Sequence, residues 1–303
     1  MVHHNVCPLC SSEKIGLQLN CTDHFVSKKE FPVFKCARCG FSFTQDYPEE
    51  SEIAKFYESD NYISHNDTSE GFSNKLYRFA RSFMLHRKQK LIQNITGLKK
   101  GNILDIGSGT GHFVNAMKNA GWQAKGIEIN ENARNFAITH FDVNITTPDK
   151  ISAIEADVFD CVTLWHVLEH FHDPYKYISE IYRLVKPGAI CVIALPNCSS
   201  YDAEHYKRFW AAWDVPRHLW HFNTTTFGQF SEQTGFILES LRILPLDVFY
   251  ISRLSEEYKG SSLPFLKGMS KAAVFSFSSV FNTKRSSSII YILRKPLPRE
   301  ITC

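Results

Sequence analysis

An α/β fold with a mostly parallel sheet, preceded by a small cysteine-bearing module, is what this sequence predicts. Three observations carry that expectation. A short apolar run, Ile103 to Ile106, enters a glycine-rich turn ending at Phe113; strand-like and helix-like segments alternate from Gly101 onward; and two C-x-x-C pairs stand near the amino terminus.

In chain order, the first segment spans residues 1–45 and carries the pairs Cys7/Cys10 and Cys36/Cys39, the second followed by Gly40. Each pair wraps two thiolates around one ion through a tight turn, so Cys7, Cys10, Cys36 and Cys39 are the expected ligands of a structural zinc ribbon. Nine cysteines, an odd number, fit metal binding in a reducing compartment better than a disulfide framework. Cys21 and His24 read as ribbon-loop residues, with substitute ligation as the alternative. The segment holds little apolar surface, so metal is expected to supply much of its folding free energy.

Residues 46–100 read as a linker and helical cap. Leu76, Phe79, Ala80, Phe83, Leu91 and Ile92 recur at helical spacing, with Arg78, Arg81, Arg87, Lys88 and Lys90 largely between them. That predicts an amphipathic helix whose basic side is a solvated face, with phosphate or RNA contact as the alternative.

Residues 101–303 form the expected core domain. Its strands fall at 103–106, 123–128, 142–146, 160–165, 189–195, 236–244 and 288–294, with Val185 to Gly188 as a helix stop before the fifth. Together they predict a Rossmann-like, seven-stranded, mostly parallel sheet. Gly107, Gly109 and Gly111 let the backbone turn tightly and leave the next helix's amides facing an anionic group. Their spacing is G-x-G-x-G, and His112 holds the place where a dinucleotide fingerprint needs its third glycine, so NAD is disfavoured. Seventeen residues after Gly111 the second strand ends on Glu128, a carboxylate able to accept both hydroxyls of a ribose.

At these residues the chain resembles the class I S-adenosylmethionine-dependent methyltransferases. The resemblance implies that Asp105 and Gly107 to Gly111 cradle the methionine moiety and that Glu128 takes the ribose. The cofactor set is then Asp105, Gly107, Ser108, Gly109, Thr110, Gly111, Phe113, Glu128, Ile129, Trp165 and His166. It also implies a reversed terminal strand inserted beside the fifth.

The fourth strand runs into Trp165, His166, Val167, Leu168, Glu169 and His170, then Asp173 and Pro174. This segment resembles a turn of the branch that includes ubiquinone-type and sugar-modifying methyltransferases. His166 is expected at the cofactor, while Glu169 and His170 read as residues that hold the turn. Amino-methylating enzymes of DNA bases resemble one another in an Asn/Asp-Pro-Pro-aromatic turn and cytosine C5 enzymes in a Pro-Cys nucleophile; neither occurs between residues 160 and 175, so DNA is not an expected acceptor.

Residues 197–222 insert seven aromatic residues after the fifth strand, including three of the five tryptophans. An apolar wall with a few polar groups is the makeup of a small-molecule site, so Tyr206, Trp210, Trp213, Asp214, Arg217 and Trp220 are the expected acceptor contacts. The stretch from Trp213 to Phe222 resembles bacterial methyltransferases associated with surface polysaccharide synthesis. His166, His218 and His221 are the candidate bases. Residues 255–287, with Leu266, Met269, Ala273, Phe277, Val280 and Phe281 near helical spacing, read as a cap over the site or a homodimer contact, with a membrane surface as the alternative.

A formal charge of +3 on 303 residues gives no electrostatic footprint for nucleic acid. Neither a signal peptide nor a transmembrane run stands out, and the expected location is cytoplasmic. The expected activity is methyl transfer to a small acceptor, a sugar or sugar nucleotide of surface polysaccharide synthesis. RNA methylation is the alternative, which the interleaved acids disfavour, and a non-catalytic S-adenosylmethionine-binding or scaffold protein is a reading of another class.

Overall fold

Three short strands follow the first cysteine pair: β1 (Ile15–Thr22), β2 (Glu30–Cys36) and β3 (Ser42–Thr44), paired as an antiparallel meander. The computed structural model describes residues 1–57 and 72–298, the side chains of 72–78 excepted. Leu76 and Arg78 of the expected helix faces therefore lie outside the described side chains.

After the long helix α1 (Phe72–Thr96), strands and helices alternate: β4 (Asn102–Ile106), α2 (His112–Asn119), β5 (Gln123–Ile127), α3 (Glu131–Phe141), β6 (Asn144–Thr146), β7 (Phe159–Trp165), α4 (Pro174–Leu184) and β8 (Val185–Pro196). Next come α5 (Tyr201–Tyr206), β9 (Trp220–His221), α6 (Thr224–Glu232), β10 (Ile237–Ile243), α7 (Asp247–Tyr258), α8 (Pro264–Phe281) and β11 (Ser288–Arg294). The main sheet has the order β10-β11-β8-β7-β4-β5-β6. Pairs from β8 to β6 are parallel, and β11 runs antiparallel to both of its neighbours. This is the expected seven-stranded Rossmann-like sheet, with its reversed last strand beside the fifth.

The order puts β7 against β4, although the chain reaches β7 only after β5 and β6. Crossovers therefore leave in opposite directions from these two strands, which opens a crevice beyond their carboxyl ends. Buried apolar residues of β4, β7 and β8, such as Leu104, Val162 and Ile193, fill the layers beneath it. One boundary differs from the expectation. β8 begins at Val185, directly after α4, and its register against β7 slips between Phe159 and Cys161. Gly188, at φ +77°, lies in that irregularity inside the strand rather than before it.

The insertion at 197–222 does something its composition did not announce. β9 pairs with β3, Ser42 opposite His221 and Phe43 opposite Trp220, so the ribbon sheet reads β1-β2-β3-β9. Trp220 Nε1 donates to the Phe171 carbonyl at 2.6 Å, and Phe41 packs on Phe222 at 5.1 Å between ring centroids. The cysteine module and the main domain consequently share one apolar core.

Arg217 locks the same junction. Buried to 1% exposure, it reaches Asp23 Oδ1 of the ribbon at 3.2 Å and Asp214 Oδ1 at 2.6 Å, and donates to the Phe56 carbonyl at 2.9 Å. Burial opposes ionisation of Asp23, yet the Ser27 N–H and Arg217 hold its pKa below the usual carboxylate value. Removing one partner of such a cluster strands buried charge. Arg217→Ala is expected to cost about 3–5 kcal/mol of stability, read as a lower urea midpoint at unchanged slope; a loss under about 1 kcal/mol would show that the cluster behaves as an exposed pair.

Candidate active site

The crevice at the β4/β7 switch is floored by the glycine turn. Gly107 and Ser108 donate their N–H groups to the Ile127 carbonyl at 2.8 and 3.0 Å, tying the turn to β5. Gly107, Gly109 and Gly111 have φ of +71°, +51° and +75°, a region that side chains rarely adopt. A Cβ at Gly107 would stand 2.4 Å from Val167 Cγ2, and one at Gly111 2.6 Å from Ala137 Cβ. Above Gly109 nothing lies within 4 Å of that position. Two glycines thus serve packing, and the middle one leaves open space for a ligand.

Glu128 stands at the tip of β5, accepting from Gly109 N–H at 2.7 Å and from Asn130 N–H at 2.8 Å. Ile129 beside it is 80% exposed, an apolar surface that a flat base could cover. Thr110 is exposed on the loop, while Ser108 and Phe113 are buried. Phe113 packs edge-on against Trp165 at 5.6 Å, forming the apolar floor. An open glycine backbone, a ribose-type carboxylate and an uncovered apolar side chain fit an adenosyl cofactor.

Asp105 is buried beneath the turn and accepts from Thr163 Oγ1, its cross-strand partner, at 2.6 Å. Burial pushes its pKa up to about 7, against the pull of Thr163 and Lys88. An approaching ammonium would restore its charge. Lys88 is the residue that sequence reasoning missed. On the basic face of α1 it read as solvated, yet its Nζ sits 4.1 Å from the Trp165 ring centroid. Burial lowers its pKa, against the pull of Asp105 and Asp247, and its amine stands at the floor of the crevice. Only the angle at which α1 crosses the sheet could have revealed this.

His166, at φ +58°, leaves β7 pointing toward α7. Its Nε2 donates to Asp247 Oδ2 at 2.7 Å, and its Nδ1 lies 3.5 Å from Glu169 Oε1. Burial disfavours the imidazolium, but the two carboxylates overcome it and push the pKa up to about 10. Glu169, at 1% exposure, is held ionised against burial chiefly by His166. Around it stand His170 and His218, their rings 4.6 Å apart. Burial and the neighbouring His218 bring the His170 pKa down to about 4. The Nδ1–H of His218 donates to the Ala212 carbonyl at 2.9 Å. Its Nε2 lies 4.0 Å from Glu169 Oε1 and 3.8 Å from Asp214 Oδ2.

His221 is placed elsewhere. It lies in β9 under the ribbon, its Nε2 3.0 Å from Thr44 Oγ1, with its pKa held well below the ordinary value by burial. The aromatic residues of the insertion are also drawn inward. Trp210 and Trp213 pack edge to face at 5.3 Å and donate their indole N–H groups to Asp202 and to the Lys207 carbonyl. Trp210, Trp220 and Arg217 therefore serve the junction between ribbon and core, a role their composition could not distinguish from an exposed wall. Tyr206 and Trp213 also line a groove of about 940 Å³ between β1 and α5, together with Lys207, Arg208, Lys259 and Arg285.

The four expected ligand cysteines converge. Cys7 Sγ lies 3.6 Å from Cys39 Sγ, and Cys10 Sγ 3.7 Å from Cys36 Sγ. Zinc–sulfur bonds of about 2.3 Å at tetrahedral angles separate sulfurs by about 3.8 Å. Backbone N–H groups of Leu9 and Cys10 face Cys7, and those of Arg38 and Cys39 face Cys36, the outer support such a site uses. The donor set fits zinc. Cys21 and His24 lie apart, Cys21 in a second apolar cluster and His24 stacked on Tyr258.

A parallel sheet with a switch-point glycine turn, a ribose-type acid and a buried strand-one acid defines a class I, nucleoside-cofactor methyltransferase fold. The family profile described as "Methyltransferase domain" matches residues 77–241, more than half of the chain, and the chain belongs to that family. A ubiquinone biosynthesis O-methyltransferase of Thiobacillus denitrificans is 33% identical over 93 residues, 28% of this chain and 40% of that protein. One from Aromatoleum aromaticum is 33% identical over 104 residues, 32% and 44% of the two chains. The matched region thus spans less than half the length of these relatives. Phosphoethanolamine N-methyltransferase 2 of Haemonchus contortus, solved with S-adenosyl-L-methionine, has a similar fold, with TM-score 0.50, 19% identity, and coverage of 84% of this chain and 62% of that one.

Two outcomes follow from this geometry. Gly109→Ala is expected to keep the fold, at a backbone cost of about 1–2 kcal/mol, while weakening S-adenosylmethionine binding by roughly tenfold or more, about 1.4 kcal/mol. Gly107→Ala, driven into Val167, is expected to lower the melting temperature first; calorimetry and thermal melts on both variants separate the roles. Because the folded pKa of His166 lies above the ordinary imidazole value of 6.5, the stability this pair adds is complete below pH 6.5 and is lost as pH rises through about 10. Imidazole NMR titration should find that alkaline midpoint in the wild type and a shift toward 6.5 in Asp247→Asn; an unshifted midpoint would dismiss Asp247 as the cause.

Proposed function

We propose that this protein is an S-adenosylmethionine-dependent methyltransferase whose acceptor is a small molecule, a sugar or sugar nucleotide of surface polysaccharide synthesis, with a zinc ion in the ribbon. The observation that carries the acceptor class is the groove between β1 and α5. It lies beyond the carboxyl end of β8, on the same edge of the sheet as the crevice, and combines four cationic side chains with Tyr206 and Trp213. Tyr206 and Trp213 are themselves nearly buried, and it is the guanidinium and ammonium groups around them that suit the phosphate of a phosphorylated sugar. One of the four, Arg285, already pairs with Glu204 and stacks over Tyr201, so Lys207, Arg208 and Lys259 hold the exposed charge.

When bound, S-adenosylmethionine supplies a methyl group on an activated sulfonium. The residues of the chain then bind, orient and handle a proton. Asp105 holds the cofactor ammonium, Lys88 its carboxylate, Glu128 the ribose, and Ile129 covers the base. Phe113 and Trp165 exclude water from the reacting centre. Orientation of this kind accounts for about 7–11 kcal/mol of barrier lowering, whereas a general base adds about 10²- to 10⁴-fold. Positioning therefore dominates. His166, an imidazolium at neutral pH, acts as a hydrogen-bond donor rather than a base. His218 Nε2, facing Glu169 and Asp214, takes the proton of a hydroxyl acceptor, and His221 keeps to the ribbon sheet.

Calorimetry with S-adenosylmethionine and methyl-incorporation assays on nucleotide sugars, quinone precursors and ribosomal RNA test this reading together. Cofactor binding with incorporation into a nucleotide sugar, cut about 10²-fold in His218→Ala and little in His221→Phe, is expected. Incorporation only into RNA would replace the acceptor, and absence of cofactor binding would end the methyltransferase reading.

A further inference from the structure

Helix α8 is built inside out. Its inward positions are Gly268, Ala272 and Ser279, all buried. They let the backbones of α8 and α7 nearly touch: a Cβ at Gly268 would stand 2.7 Å from Arg253 Cα. Small residues permit such close approach, and beside them only Phe275 among the large apolar residues packs inward, on His205 and Tyr206. Most of the large apolar residues point away from the protein. Leu266, Val274, Phe277, Val280 and Phe281 are each between 60 and 77% exposed. Leu266, Ser270, Val274, Phe277 and Phe281 follow one another by four, four, three and four positions, a single outward face along about 22 Å of helix.

An apolar stripe of this length on a soluble surface marks an interaction site. Its charges say with what. Lys267 and Lys271 are exposed beside the stripe and Lys284 is exposed beyond its end. No Asp or Glu occurs between Glu257 and Glu300. A second copy meeting this face about a two-fold axis would set the same apolar stripe and the same lysines against themselves, with no acid on the helix to answer them. Anionic headgroups above an acyl layer answer both features at once. Among the described residues no helix is long and apolar enough to cross a membrane, so α8 would lie along the surface.

We propose that α8 docks this protein flat on an anionic membrane surface, its Leu266–Phe281 face in the headgroup boundary and Lys267 and Lys271 on the phosphates. The inference stands independently of the acceptor. It places α7, whose first residue Asp247 holds His166, as the layer between the bilayer and the crevice.

Flotation of the full chain with vesicles of phosphatidylcholine and phosphatidylserine at low salt tests it. Co-flotation is expected to exceed that on phosphatidylcholine alone by roughly tenfold or more and to fall at high salt. It should be lost in Phe277→Ser/Phe281→Ser and strongly reduced in Lys267→Glu/Lys271→Glu. These side chains are exposed, so both variants should keep the wild-type melting curve and cofactor affinity. Absence of vesicle binding at low salt, or equal binding to neutral vesicles, overturns the proposal. So does light scattering that finds a stable dimer dissolved by Phe277→Ser/Phe281→Ser, which would assign the face to a second copy of the chain.

Discussion

The absence of two β-carbons, at Gly107 and Gly111, is the constraint on which the crevice depends. Val167 and Ala137 close on those positions to distances that no side chain tolerates. With the turn pressed against them, Gly107 and Ser108 can bond Ile127 at the end of β5, and Glu128 arrives beside the loop. A wider turn would separate the ribose acid from the glycine backbone. The architecture of the cofactor site is thus a packing result, with one glycine, Gly109, left over for the ligand.

Charge inside the crevice is organised in two layers. Asp105 and Lys88 are each pushed by burial toward neutrality and each drawn back by the other, so their ionisation responds readily to a zwitterionic ligand. His166, Asp247 and Glu169 form the opposite case, a set whose attraction outweighs burial and keeps the imidazolium charged. The first layer can exchange partners on binding. The second stays fixed, and it ties the end of β7 to α7.

The ribbon is no independent appendage. β9 extends its sheet, Arg217 bridges Asp23 to Asp214, and the rings of Phe41, Trp220 and Phe222 merge the two cores. Metal at the four cysteines would therefore brace a wall of the groove between β1 and α5, since β1 contributes Gln18 and Leu19 to that wall. Folding of the ribbon and shape of the groove become linked quantities.

By itself the sequence determined the parts whose signals are local. Glycine spacing, the acids at 105 and 128, the apolar strand runs and the two C-x-x-C turns each act over a few residues, and the sheet and cysteine cluster appear where they pointed. Decisions that rest on which surfaces meet came only with tertiary structure. Lys88 looked solvated until α1 crossed the crevice. The aromatic insertion looked like an open wall, but pairing of β9 with β3 buries Trp220, and Trp210 packs with Trp213 in a second cluster. The apolar positions of α8 looked like a packing face, yet Gly268 packs on α7 and Ala272 is buried in their place. Periodicity reports which residues share a side of an element; only the packed neighbours decide which side is turned in.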